Sequence, residues 1–151
     1  MTYSDDDGET WIKPYTTGLE ELQKWGETWV GFGPPAGLQT SSNRLVIPAY
    51  ASIVPIYDNG IFTYSFIVYS DDGGETWERS DAIPTEGLAA FSGAFGNEAQ
   101  IVEFEEEPAT LLINSRASWG HRIQSYSVDD GESWSNYGEH ATKEASAIRG
   151  H

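Results

Sequence analysis

The 151-residue sequence contains no cysteine, which excludes a disulfide framework and leaves the redox compartment open. Positive charge is scarce: 8 Lys and Arg stand against 24 Asp and Glu, a formal net charge of −16 with a pI near 4.2. That balance argues against nucleic acid and anionic membranes as partners, because phosphate binding needs basic patches. No apolar run approaches the roughly 20 residues of a membrane helix. The start, Met1-Thr2-Tyr3-Ser4, shows no signal peptide and reads as the interior of a fold. Compartment follows from none of this; such acidity suits an extracellular or lysosomal protein, and solubility alone explains it equally well. What the chain does have is 13% aromatics and 16 glycines, the mark of many short strands joined by tight turns. The length suits one domain spanning 1–151 with a sizeable core.

One turn occurs three times. Ser4-Asp5-Asp6-Asp7-Gly8-Glu9-Thr10-Trp11 returns as Ser70-Asp71-Asp72-Gly73-Gly74-Glu75-Thr76-Trp77, and again as Ser127-Val128-Asp129-Asp130-Gly131-Glu132-Ser133-Trp134. All fit S-x-D-x-G-x-[ST]-W, each follows strand-like residues, and the starts are 66 and 57 residues apart. The motif has a structural rationale. Asp6, Asp72 and Asp129 accept hydrogen bonds from turn N–H groups. Gly8, Gly74 and Gly131 supply positive φ, and Trp11, Trp77 and Trp134 leave the turn to bury a large ring. A calcium loop with Gly8 in sixth place needs an acid at its first and twelfth positions, where Tyr3 and Pro14 stand.

Between the repeats, 18–26 allows one short helical turn ended by Gly26. Residues 31–37 form a Gly/Pro-rich loop without the Lys-Ser/Thr and helix that phosphate binding needs. Arg44 opens a buried strand ending at Pro48 or just beyond it. Asp58-Asn59-Gly60 reads as a hairpin turn, and 82–95 as loop with room for an edge strand. His121, His140 and His151 have no partners spaced for a metal, so no metal site and no cofactor is expected.

The stretch with chemistry in it is Asn97-Glu98-Ala99-Gln100 through Asn114-Ser115-Arg116. Apolar residues flank both ends, and Glu105-Glu106-Glu107-Pro108 marks a turn between them, so two adjacent strands are expected. Such a hairpin places Glu98 and Arg116 at one end of the sheet. Glu103, Glu105, Glu106 and Glu107 read as its solvated tip. A lone Glu and Arg on neighbouring strands are, by themselves, also what a structural ion pair looks like.

The repeated turns resemble the Asp boxes of the sialidase (neuraminidase) family. The likeness extends to Gly33-Pro34 through Gly37-Leu38-Gln39, and to Arg44-Leu45-Val46-Ile47-Pro48-Ala49-Tyr50, similar to the family's GPG-x-G-[IL]-Q and grlviPaY segments. Pro35 departs from the third position of GPG. Asn97-Glu98 with Asn114-Ser115-Arg116 resembles the family's NE-x-Q and N-[AS]-R pair. The resemblance implies an all-β fold, a six-bladed β-propeller of four-stranded antiparallel blades, with about three blades present here and the boxes facing away from the active site. It also implies an exo-α-sialidase, a retaining glycosidase that uses a tyrosine nucleophile and no cofactor to release terminal sialic acid from glycoconjugates. Glu98 matches the base that serves that tyrosine. Arg116 matches the second of three arginines that hold the sialic acid carboxylate, and Tyr50 matches a tyrosine lining the pocket.

No residue here matches the family's first or third arginine, its aspartate acid/base or its nucleophilic tyrosine, and Arg149 lacks the context of the third arginine. The sequence is therefore expected to be a central part of such an enzyme and, alone, to be inactive. Its two open blade faces would invite self-association, with a symmetric dimer closing six blades as one arrangement. Two other readings stand: a non-catalytic Asp-box module binding glycan or protein, and a trans-sialidase.

Overall fold

The structure, a computed structural model, describes residues 2–14, 18–34, 36–53, 62–84, 96–117, 122–135 and 138–139. They form nine strands in two antiparallel sheets. The first sheet holds β1 (Trp29–Phe32), β2 (Leu38–Gln39), β3 (Leu45–Ile53), β4 (Phe62–Ser70) and β5 (Glu78–Arg79). Its order is β1-β3-β4-β5, with β2 also paired to β3. The second sheet runs β6-β7-β8-β9, from Ala99–Glu103, Leu111–Arg116, Arg122–Ser127 and Gly138–Glu139. Among the described residues there is no α-helix, only a 3-10 turn at Leu19–Leu22, and none long and apolar enough to cross a membrane. This is the all-β arrangement of antiparallel blades that the resemblance implies, four-stranded in the second sheet and a four-stranded path with β2 added in the first. Two blades are described, and residues 2–14 carry the box turn of another. Asp58-Asn59-Gly60, the three histidines, Arg149 and 85–95 lie outside the described residues.

Alternation sets the second sheet. Ala99 and Ile101, then Leu111 and Ile113, then Ile123 point to one face and are buried, while Gln100 and Val102 point away and are exposed. That face packs on Val46, Ile67 and Ile83 of the first blade to form the main core. Ile67, Leu111, Ile113 and Ile123 are almost fully excluded from water, and each such side chain contributes about 1.5–3 kcal/mol of burial. The opposite face of the first sheet has a core of its own, in which Ala49, Ala51, Phe66 and Val68 pack against Leu22, Val30, Tyr64 and Trp77. β3 and β4 are thus covered on both faces.

The three boxes are alike bond for bond. In each, the serine hydroxyl donates to the aspartate (2.7 Å) and accepts from the glycine N–H (2.8 Å). The aspartate accepts the N–H and hydroxyl of the Thr or Ser four residues on, and the indole donates to the glycine carbonyl at 3.1 Å. Gly8, Gly74 and Gly131 have φ of 91°, 97° and 89°. The residue before each is also left-handed, Asp7 at 56°, Gly73 at 76° and Asp130 at 58°, a position that Asp tolerates and most residues do not.

These bonds hold the Asp6 and Asp72 carboxyls at a pKa of about 2, chiefly through Thr10 and Thr76. An unfolded aspartate titrates near 3.9, so the folded chain releases these protons more readily than the unfolded one. Their stabilisation is then fully present above about pH 4 and lost as pH falls towards 2. An acid titration followed by circular dichroism is expected to steepen in that window. Asp72→Asn should flatten it; equal slopes in both proteins would rule the boxes out as the cause.

Four expectations are corrected. Trp11 keeps the box hydrogen bond but is 63% exposed, because no strand among the described residues precedes its turn to give the ring a surface to cover. Trp77 and Trp134, which follow β4 and β8, do pack on the two cores. β3 does not stop near Pro48 but continues to Ile53. Gly33 N donates to Pro48 O, so the side of Pro48 that lacks an N–H faces the place where β1 gives way, and no ladder bond is lost. Glu103 is no part of the solvated tip: its carboxylate crosses to Ser41 N (2.8 Å) and Ser41 Oγ (2.7 Å), and it accepts Ala109 N. The helical turn ends at Leu22, and Gly26 (φ 89°) belongs to a later turn.

Candidate functional site

Glu98 and Arg116 are carried to one place by the pairing of β6 with β7. Ala99 lies opposite Ser115, so Glu98, one step before β6, faces Arg116 at the end of β7. Arg116 N donates to Glu98 O at 2.9 Å, and Arg116 Nη1 donates to Glu98 Oε2 at 2.9 Å. Their side chains are 38% and 44% exposed, which leaves the pair open to a ligand. The third box sits at the other end of the same strands, where Ser127 pairs with Leu111. Five residues of strand put about 17 Å between the two ends, so the third box lies clear of this site.

The residues just before Glu98 fix its position. Gly96 (φ 118°) lies so close to β4 that a Cβ there would stand 2.5 Å from Ser65 Oγ. Asn97 accepts Ser65 Oγ at its carbonyl, donates to Thr63 Oγ1 through its amide, and accepts Glu98 N at 2.7 Å. Ala99 N then donates to Gly33 O at 3.2 Å. Glu98 therefore leaves a segment bonded to both sheets.

Tyr50 is brought to the same place from the first sheet, opposite Gly31 on β1 and Ser65 on β4. Its pKa is raised, first by burial and then by the negative charge of Glu98, against the opposing pull of Arg116. The phenol thus shares an electric field with both members of the charge pair. Of the three residues singled out in the sequence, Glu98 and Arg116 meet directly, and Tyr50 lies within the reach of their charges.

Sequence reasoning missed a fourth. Arg122 opens β8 directly opposite Arg116, donating through Nε to Asn114 Oδ1 and through Nη2 to Asn114 O (2.7 Å). Burial lowers its pKa, Glu98 opposes that, and the like charge of Arg116 adds to it. Following the register across the β7–β8 connection from Arg116 would have found it. The local cluster is thus two guanidiniums, one carboxylate and a phenol. It can hold an anion against Arg116, and it can take a proton at Glu98. Among the described residues no group of three or more His, Cys, Asp or Glu is placed to hold a metal.

The model of the BNR repeat-like domain matches residues 1–148. The chain is 28% identical over 142 residues to a sialidase of Clostridium perfringens, an alignment covering 91% of this chain and 34% of that protein. The structure is similar to that of the Hadza microbial sialidase Hz136, with a TM-score of 0.68 and 25% identity over 92% of this chain and 24% of that one. It is equally similar to the intramolecular trans-sialidase of Ruminococcus gnavus, with a TM-score of 0.68 and 26% identity over 93% and 26%. The chain spans about a third of the length of the Clostridium relative. With its three box turns and its antiparallel blades, the chain belongs to the family of BNR repeat-like domains.

Proposed function

We propose that these residues are the central part of an exo-α-sialidase active site that releases terminal sialic acid from glycoconjugates. The observation that carries the reading is the exposed Glu98–Arg116 contact at the box-free end of the blade, with Tyr50 in its field. Arg116 would take the sialic acid carboxylate in its guanidinium fork, and Tyr50 would form part of the pocket wall. An anomeric carbon bearing a carboxylate repels an anionic nucleophile, which favours a neutral phenol in that role. Glu98 would accept the phenol proton as the phenol oxygen bonds to the anomeric carbon. The glycosidic oxygen leaves with a proton from an acid outside these 151 residues, and water then releases the sugar with net retention. Whether water or a sugar hydroxyl completes the reaction separates hydrolysis from transfer, and both kinds of enzyme are among the structural relatives.

The nucleophile and acid have no match in this sequence, so the isolated chain is expected to bind sialic acid weakly and not to turn over a 4-methylumbelliferyl α-sialoside. Arg116→Ala is expected to weaken binding of the methyl α-glycoside of N-acetylneuraminic acid at least tenfold, with Arg116→Lys recovering only part. Turnover that vanishes in Glu98→Gln would overturn the expected inactivity. Unchanged affinity in Arg116→Ala would remove Arg116 as the anchor and favour a box-bearing module without this site.

A further inference from the structure

We propose that Trp29 is a specificity-determining residue, an aromatic platform at the rim of the site for the sugar next to a bound sialic acid. The inference rests on the reading of Glu98 and Arg116 just given. β1 and β6 are the edge strands of their sheets, and they meet where Ala99 N donates to Gly33 O. Trp29 opens β1 opposite Ser52, at the end of its sheet away from the second box. That is the end at which Glu98 and Arg116 lie in the neighbouring sheet.

The indole is held there, not left to swing. Gly31 lies on the same face two residues on, and a Cβ at Gly31 would come within 2.5 Å of Trp29 Cζ3 and 2.8 Å of Tyr50 Cζ. Both rings thus fold down over bare backbone that only glycine provides. Tyr50 meets the indole edge to face, with ring centroids 5.0 Å apart and planes at 82°. Tyr50 is in turn the residue whose phenol feels Glu98 and Arg116. Tyr50, opposite Gly31 and two residues along β1 from the Gly33 contact with Ala99, thus stands between the indole and the start of β6.

Trp29 nevertheless remains 43% exposed. A large aromatic fixed in water forgoes the burial that normally accompanies ordering it. A saccharide supplies the missing cover, since a pyranose has an apolar C–H face that stacks on an indole while its hydroxyl edges stay hydrated. An exo-acting site places the terminal sugar over the charge pair, so the next sugar lies towards the rim, where the indole is.

The test compares two ligands by calorimetry on the full chain: the methyl α-glycoside of N-acetylneuraminic acid and 3′-sialyllactose. Trp29→Ala is expected to weaken the trisaccharide about tenfold, the size of one lost aromatic contact, and to leave the methyl glycoside within about twofold. Trp29→Phe should restore part of the loss. Equal weakening of both ligands would overturn the proposal, since Trp29 would then act only by bracing Tyr50; no weakening of either would also overturn it. Arg116→Ala serves as the reference and should weaken both ligands alike. If it weakens neither, the reading of the site itself fails, whatever Trp29 does. A wild-type chain that binds neither ligand removes both readings together.

Discussion

Arg79→Ala is expected to lower the unfolding free energy by about 4 kcal/mol, the usual cost of orphaning one member of a buried ion pair. Arg79 and Glu27 are 3% and 1% exposed at their side chains and lie 2.8 Å apart. Arg79 also donates to Leu22 O and to Tyr64 Oη, and its guanidinium stacks 3.5 Å over the Phe66 ring. Burial pushes the Glu27 carboxyl up, but hydrogen bonds from Arg79, Tyr64 and Lys24 N outweigh it and hold the pKa below the usual carboxylate value. Removing Arg79 leaves that carboxylate enclosed and short of its strongest donor. It also frees the 3-10 turn from the sheet face it covers. Chemical denaturation of Arg79→Ala, Glu27→Leu and the double variant Glu27→Leu/Arg79→Met checks this. Each single change should cost several kcal/mol, while the double should recover most of the loss, because an apolar pair of similar volume needs no partner. Additive losses would show that packing, and not the uncompensated charge, sets the cost.

Arg44→Ala comes next, at about 3 kcal/mol. Arg44 is 10% exposed and donates to both oxygens of Asp71, at 2.7 and 2.9 Å, to Asp130 O at 3.0 Å, and to Glu132 Oε1 at 3.2 Å. One guanidinium, lying against the Tyr69 ring, thus spans the second and third boxes and joins the two blades. Asp71 and Glu132 are largely exposed and contribute little singly. The loss comes from the buried end, where the Asp130 carbonyl and the aromatic contact go unmatched. Arg44→Lys should recover less than half, since a point charge cannot reproduce the fork. Hydrogen exchange at Gly131 N and Ser133 N should speed up in Arg44→Ala. Unchanged exchange there would mean that the third box holds itself without the bridge.

What the sequence made legible follows from range. The boxes close within eight residues, so their bonds can be written down from the motif. Glu98 and Arg116 are 18 residues apart, yet one hairpin register connects them. Arg44 with Glu132 and Arg79 with Glu27 are 88 and 52 residues apart, and no local pattern links them. In the sequence Arg44 reads only as the start of a strand, and Glu27 only as one acid among 24. Trp11 and Glu103 failed for the complementary reason. Their local signals were sound, but whether a ring is covered or a carboxylate solvated depends on what the rest of the chain brings beside it.

The placement of the arginines also shapes how a charged molecule would approach. Arg44 and Arg79 are spent inside the fold, and Arg116 and Arg122 are gathered at one end of one blade. Half of the eight basic residues are therefore withdrawn from a general role in neutralising a surface of formal charge −16. An anion diffusing in meets net repulsion from that surface and attraction within about a Debye length of that strand end. Added salt screens the broad repulsion as well as the narrow attraction, so arrival of an anionic glycan should be far less salt-sensitive than capture by an openly basic surface.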